Sequence, residues 1–119
     1  MGLVSCEDPM LEPLFESPIK GQVLLYVYTH GESYGREIAR ELGFYPNAVQ
    51  YQLLKLEMGG VLFSKLRGKV RLFGLNPRYP FKKELEALLE KSLTFIPQEE
   101  KERLYQPRLR PRRTGKPLP

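Results

Sequence analysis

The sequence predicts a mainly α (α+β) domain of about four helices with a two-stranded β-hairpin. Three observations lead there. Four segments place apolar residues at helical spacing between residues suited to start and stop a helix. Two of those segments are separated by only about three residues, with small residues where a steep crossing needs them. Two alternating, β-branched-containing runs are joined by a glycine-containing turn.

The elements follow in order. Residues 1–16 form an N-terminal arm in which Leu11, Leu14 and Phe15 supply a little apolar surface. Ser17-Pro18 starts the first main helix, because serine caps free amides and proline fits the first helical position. Ile19, Val23, Leu24 and Val27 make its apolar side, and His30-Gly31 ends it. The second helix spans about Gly35–Leu42, with Ile38, Ala39 and Leu42 inward and Gly43 as the stop. Pro46 opens the third, in which Val49, Leu53 and Leu56 fall at i, i+4 and i+7, and Gly59-Gly60 closes it. Val61–Leu66 and Val70–Leu75 are strands joined by Arg67-Gly68-Lys69, and Asn76-Pro77 ends the hairpin. A fourth helix spans about Phe81–Leu93, with Leu85, Leu88 and Leu89 on one face, available to the core or to a second copy. The domain is placed at 17–96. Residues 97–119, rich in proline and basic residues, are expected to be extended or disordered.

Composition narrows the function classes. With 119 residues the chain suits one modest domain. Its longest apolar run, Val23–Val27, is far short of the ~20 residues of a membrane helix, and no signal peptide is expected in Met1–Pro13, which lacks a basic region followed by an apolar stretch. A lone cysteine, Cys6, cannot form an intrachain disulfide, which favours a reducing, cytoplasmic setting. One Cys and one His, at positions 6 and 30, cannot build a thiolate metal site within one chain. Cys6 is then a plain thiol or an intersubunit redox sensor. No glycine-rich phosphate loop is present, and Glu37 and Glu41 are expected on a solvated helix face rather than as a catalytic pair, so no enzyme and no cofactor is expected.

The net charge is +5, of which the segment from Pro97 onward supplies +4. In the nearly neutral remainder, Lys65, Arg67, Lys69 and Arg71 cluster on the hairpin without an acid among them. Such a cluster is either a phosphate contact or a charged, solubilising strand edge. The basic tail admits three roles: a DNA-strengthening arm, a partner-binding segment, or a solubilising end.

The helix pair is more specific. Ala39 allows close crossing, Gly43 permits a sharp exit, and Val49 fills the angle. One face of the third helix is then left uncovered: Asn47, Ala48, Gln50, Tyr51 and Lys55. A helix held this way can enter a major groove, where Asn and Gln pair with adenine and Ala touches a thymine methyl. A polar, solvated face would carry similar residues.

The segments REIARELG, PNAVQYQLLKLE and GGVL, with a basic hairpin ending in LNP, resemble the winged helix-turn-helix domain of the arsenic-repressor-like (ArsR-like) regulators over residues 17–78. The resemblance implies a prokaryotic transcriptional regulator that binds double-stranded DNA as a homodimer. It implies a recognition helix at about Pro46–Met58 and a wing at Val61–Leu75, touching DNA through Arg67 and Lys69 with Lys65 and Arg71 behind. Base contact is expected from Asn47, Ala48, Gln50 and Tyr51, and backbone contact from Arg36, Lys55, Lys65, Arg67, Lys69 and Arg71. Two positions depart from the pattern: Tyr45 stands where relatives often have Ser, Thr or Asn, and Tyr51 where they often have a cation. The runner-up expectation is a protein-interaction module of the same fold.

Overall fold

The computed structural model describes residues 12–106. A short helix α1 (Glu12–Phe15) is followed by α2 (Pro18–His30), a two-residue strand β1 (Ser33–Tyr34), α3 (Gly35–Leu42) and α4 (Pro46–Met58). The hairpin β2 (Leu62–Arg67) and β3 (Val70–Leu75) comes next, then α5 (Lys82–Leu93) and α6 (Gln98–Leu104). All three strands form one antiparallel sheet in the order β1-β3-β2.

Helix α2 is the centre of the molecule. Ser17 caps it, its side chain accepting from the Lys20 amide at 3.1 Å, and Pro18 takes the first helical position. Every residue from Gly21 to Val27 is buried, so the helix is enclosed on all sides rather than along one stripe. Helices α1, α3, α4 and α5 and strand β3 all pack on it. The core joins Val23, Leu24, Leu25, Tyr26 and Val27 to Ile38 and Ala39 of α3, to Val49, Leu53 and Leu56 of α4, and to Leu62 and Phe73 of the sheet.

The helix-turn-helix expectations hold. Ala39 is buried where α3 meets α4, Gly43 adopts the left-handed conformation (φ 81°, ψ 29°) that ends α3, and Val49 is fully enclosed. Gly35 has a further role. A Cβ there would stand 2.9 Å from Gln50 Oε1 and 3.2 Å from Leu53 Cδ1, so a bare backbone lets α4 lie against the start of α3.

The hairpin turns through Gly68-Lys69, with Arg67 paired to Val70 and Gly68 at φ 67°. A positive φ at the first of two central residues suits a II′ turn and the right-handed twist of the strands. The hairpin is not a lone ribbon: β1 pairs with β3 through Ser33↔Phe73 and Tyr34↔Leu72. Two residues were too short a run to give a strand pattern in the sequence. Asn76 anchors the base of the hairpin, donating from Nδ2 to the Gly60 carbonyl at 2.9 Å and accepting from the Arg78 amide at 3.0 Å.

Two expectations need correction. Residues 97–119 were expected to be extended or disordered, yet Gln98–Leu104 is helical and Leu104 and Tyr105 are buried. The local composition is polar, but Leu104 and the following Tyr105 join the core; His30 adds a link, donating from Nε2 to the Leu104 carbonyl at 2.8 Å. Residues 107–119 lie outside the described part. Glu37, expected on a solvated face, is half-buried and accepts from the Tyr26 hydroxyl at 3.1 Å, while Glu41 is exposed. In the arm, Phe15 packs on the core, Leu14 is exposed, and Leu11 and Cys6 lie outside the described residues. On α5, Leu89 is fully buried, and Leu85 and Leu88 pack on the same core while remaining half-buried.

Candidate nucleic-acid interface

The outward face of α4 follows from what its inward face does. Val49, Leu53 and Leu56 are drawn into the core, where each contributes roughly 1.5–3 kcal/mol of apolar burial. Helical periodicity then turns Asn47, Gln50, Tyr51, Leu54, Lys55 and Met58 to the outside, with Ala48 half-buried at the edge. Pro46 begins the helix and Tyr45 precedes it in extended conformation without capping it by its side chain. The first-turn amides of α4 therefore have no side-chain cap there.

Within this face, Lys55 Nζ stands 5.4 Å from the Tyr51 ring centroid, a cation–π arrangement that orders both side chains along the helix. The amide head of Gln50 leans back over Gly35. It must rotate outward to reach a base edge.

The hairpin carries four cations and treats them differently. Arg67 and Lys69 are exposed on either side of the turn and, among the described residues, form no ion pair. Lys65 is drawn to Glu32 at 3.2 Å, which gives its ammonium a carboxylate partner that Arg67 and Lys69 lack among the described residues. Arg71 donates from Nη1 to Ser64 Oγ at 2.9 Å, and the Ser64 hydroxyl donates to Glu57 Oε2 at 2.6 Å. This chain of bonds ties the wing to the last turn of α4. Neither Glu32 nor Glu57 could be paired with its hairpin partner from the sequence, because the partners are brought together only by the fold.

Arg36 lies exposed at the start of α3, likewise without an ion pair among the described residues. It joins Tyr34, Glu37, Arg40 and Val70 around an open cleft of about 430 Å³ between α3 and the hairpin. Arg40 was missed by the sequence reading. Its signal was available: Arg36 and Arg40 are four residues apart and so share a helix face. The Arg40–Glu41 contact, at 4.0 Å between exposed groups, offsets little of its charge.

The structure thus gathers Asn47, Gln50, Tyr51 and Lys55 on one helix face, and places Arg67 and Lys69 at a projecting turn. It places Arg36 at the start of the neighbouring helix. Among the described residues no group of three or more His, Cys, Asp or Glu side chains converges as a metal site, and no helix is long and apolar enough to cross a membrane.

No family model and no curated protein sequence matches the chain. Among solved structures the chain is similar to ZitR from Lactococcus lactis, a mutant in apo form, with 24% identity over 80% of this chain and 83% of that one and a TM-score of 0.51. With the helix-turn-helix, the hairpin and the third strand already described, this likeness shows the fold: the chain is a winged helix of α+β class.

Proposed function

We propose that this chain is a sequence-specific double-stranded-DNA-binding protein that regulates transcription. The observation that carries the reading is the outer face of α4. Amide side chains Asn47 and Gln50 and the Tyr51–Lys55 pair project from a helix whose other face is locked into the core, and the hairpin whose strand β2 packs on that helix carries Arg67 and Lys69 at its turn. Asn47, Ala48, Gln50 and Tyr51 are assigned to base edges. Arg67, Lys69, Arg36 and Lys55 are assigned to phosphates, with Arg40 added and with Lys65 and Arg71 in supporting positions. Winged-helix regulation with two recognition helices on successive major grooves calls for a homodimer, and sedimentation of the full chain at micromolar concentration measures it.

Selection from a randomised duplex pool at near-physiological salt tests the function. An enriched motif supports it. Weak, unenriched binding supports the second reading, a protein-interaction module, which the exposed apolar residues Tyr45 (84%), Leu54 and Met58 (86%) on and before the same helix favour.

A further inference from the structure

A second cleft, of about 390 Å³, lies between the C-terminal end of α2, the second half of α5 and the end of α6. No residue of α4 or of the hairpin is among its described lining. Its size falls within the range of small-molecule sites. The body of the cleft is apolar and aromatic, formed by Tyr28, Leu93 and Tyr105. Among the described residues its charged groups are one carboxylate, Glu90, and one ammonium, Lys101. Among the described residues these two do not form an ion pair with each other or with any other group. The Tyr28 hydroxyl donates to Glu90 Oε1 at 2.7 Å, which fixes the carboxylate and leaves its other oxygen to accept. The hydroxyls of Thr29 and Thr94 are already turned to backbone carbonyls of their own helices, Thr29 to Leu25 and Tyr26 and Thr94 to Lys91, and so compete little for a ligand.

Opposite charges that face one apolar cleft without closing on each other match a ligand bearing both charges. We propose that this cleft is a binding site for a small zwitterion with an apolar side group, of the α-amino-acid class. The ligand ammonium pairs with Glu90, its carboxylate with Lys101, and its side group lies against Leu93 and the rings of Tyr28 and Tyr105. The site is independent of the DNA-binding reading, since it shares no residue with α4 or the hairpin.

The test uses the full chain and the apolar and aromatic L-amino acids, each followed by calorimetry and by amide chemical shifts. At least one, with L-phenylalanine as the reference probe, binds saturably at or below about 1 mM and shifts Leu93, Thr94 and Tyr105. Phenethylamine, which lacks the carboxylate, and 3-phenylpropionate, which lacks the ammonium, each bind about tenfold more weakly, a difference of about 1.4 kcal/mol. Lys101→Met removes the advantage of phenylalanine over phenethylamine. Glu90→Gln removes its advantage over 3-phenylpropionate. Thermal melts confirm that both variants fold. Absence of saturable binding by every amino acid in the set, or equal affinity of the wild type for phenylalanine and both one-charge analogues, overturns the proposal.

Discussion

Replacing Arg67 by alanine and, separately, Lys65 by alanine should have unequal effects on DNA binding, although both are lysine or arginine on the same strand. Arg67 sits beside the turn without an ion pair among the described residues, whereas Lys65 is held by Glu32 at 3.2 Å. A free cation that neutralises one phosphate contributes about 0.9 to the slope of log K against log salt. At a salt concentration of about 0.15 M that contact is worth a factor of about five in affinity, and at about 0.05 M a factor of about fifteen. Arg67→Ala should therefore weaken binding about fivefold per bound chain near physiological salt, equally on all sequences, and flatten the slope by about 0.9. Lys65→Ala should change the slope by less than half as much, because its partner is a carboxylate rather than a phosphate. Fluorescence anisotropy on a fixed duplex over a salt series measures both. Equal slopes for Arg67→Ala and wild type would refute the placement of the wing on the DNA backbone. A larger loss for Lys65→Ala would refute the distinction drawn between paired and unpaired cations.

Other expectations concern the scaffold and the cleft. Leu53→Ala, at a fully buried position between α4 and α2, should cost about 2–5 kcal/mol in urea unfolding, and a loss well under 1 kcal/mol would contradict the packing. Leu104→Ala should lower the melting temperature and free α6, seen as faster amide exchange in Gln98–Leu104; unchanged exchange there would mean that α6 does not depend on this contact. The Tyr28 hydroxyl is pushed up from its ordinary value of 10.0 to about 12, chiefly by its hydrogen bond to Glu90, then by burial and by the charges of Glu90 and Glu86. A raised value favours the protonated hydroxyl in the folded state, so its stabilising contribution is whole below pH 10.0 and is lost as pH rises through about 12. In a spectrophotometric titration Tyr28→Phe should delete a tyrosine transition near pH 12, and Glu90→Gln should move that transition down; a profile unaltered in both variants would contradict the bond.

The parts of the fold that were legible in the sequence are those with a local signature. Ser17-Pro18, Gly43 and Pro46 mark helix boundaries through backbone chemistry that any context preserves. The i, i+4, i+7 run of Val49, Leu53 and Leu56 identified both the buried side of α4 and, by subtraction, its outer face. What escaped depends on partners distant in sequence. Strand β1 exists because β3 offers it a free edge, and α6 because Leu104, Tyr105 and the His30 bond dock an otherwise polar segment. Within the candidate interface, the four hairpin cations look equivalent as a sequence. Only the fold brings Glu32 to Lys65, and Glu57 through Ser64 to Arg71, and so separates restrained charges from unpaired ones. Gly35 was readable as a helix boundary but not as the place where Gln50 and Leu53 approach so closely that a Cβ would make them shift.

Selection from a randomised duplex pool, carried out in parallel on the wild type and on Gln50→Ala, tests whether α4 reads DNA. The wild type should enrich a motif with two half-sites about one helical turn apart. Gln50→Ala should lose discrimination at one or two positions of each half-site and keep the rest. No enrichment with the wild type, or the same motif at full strength with the variant, would contradict the assignment of α4 as the helix that reads DNA.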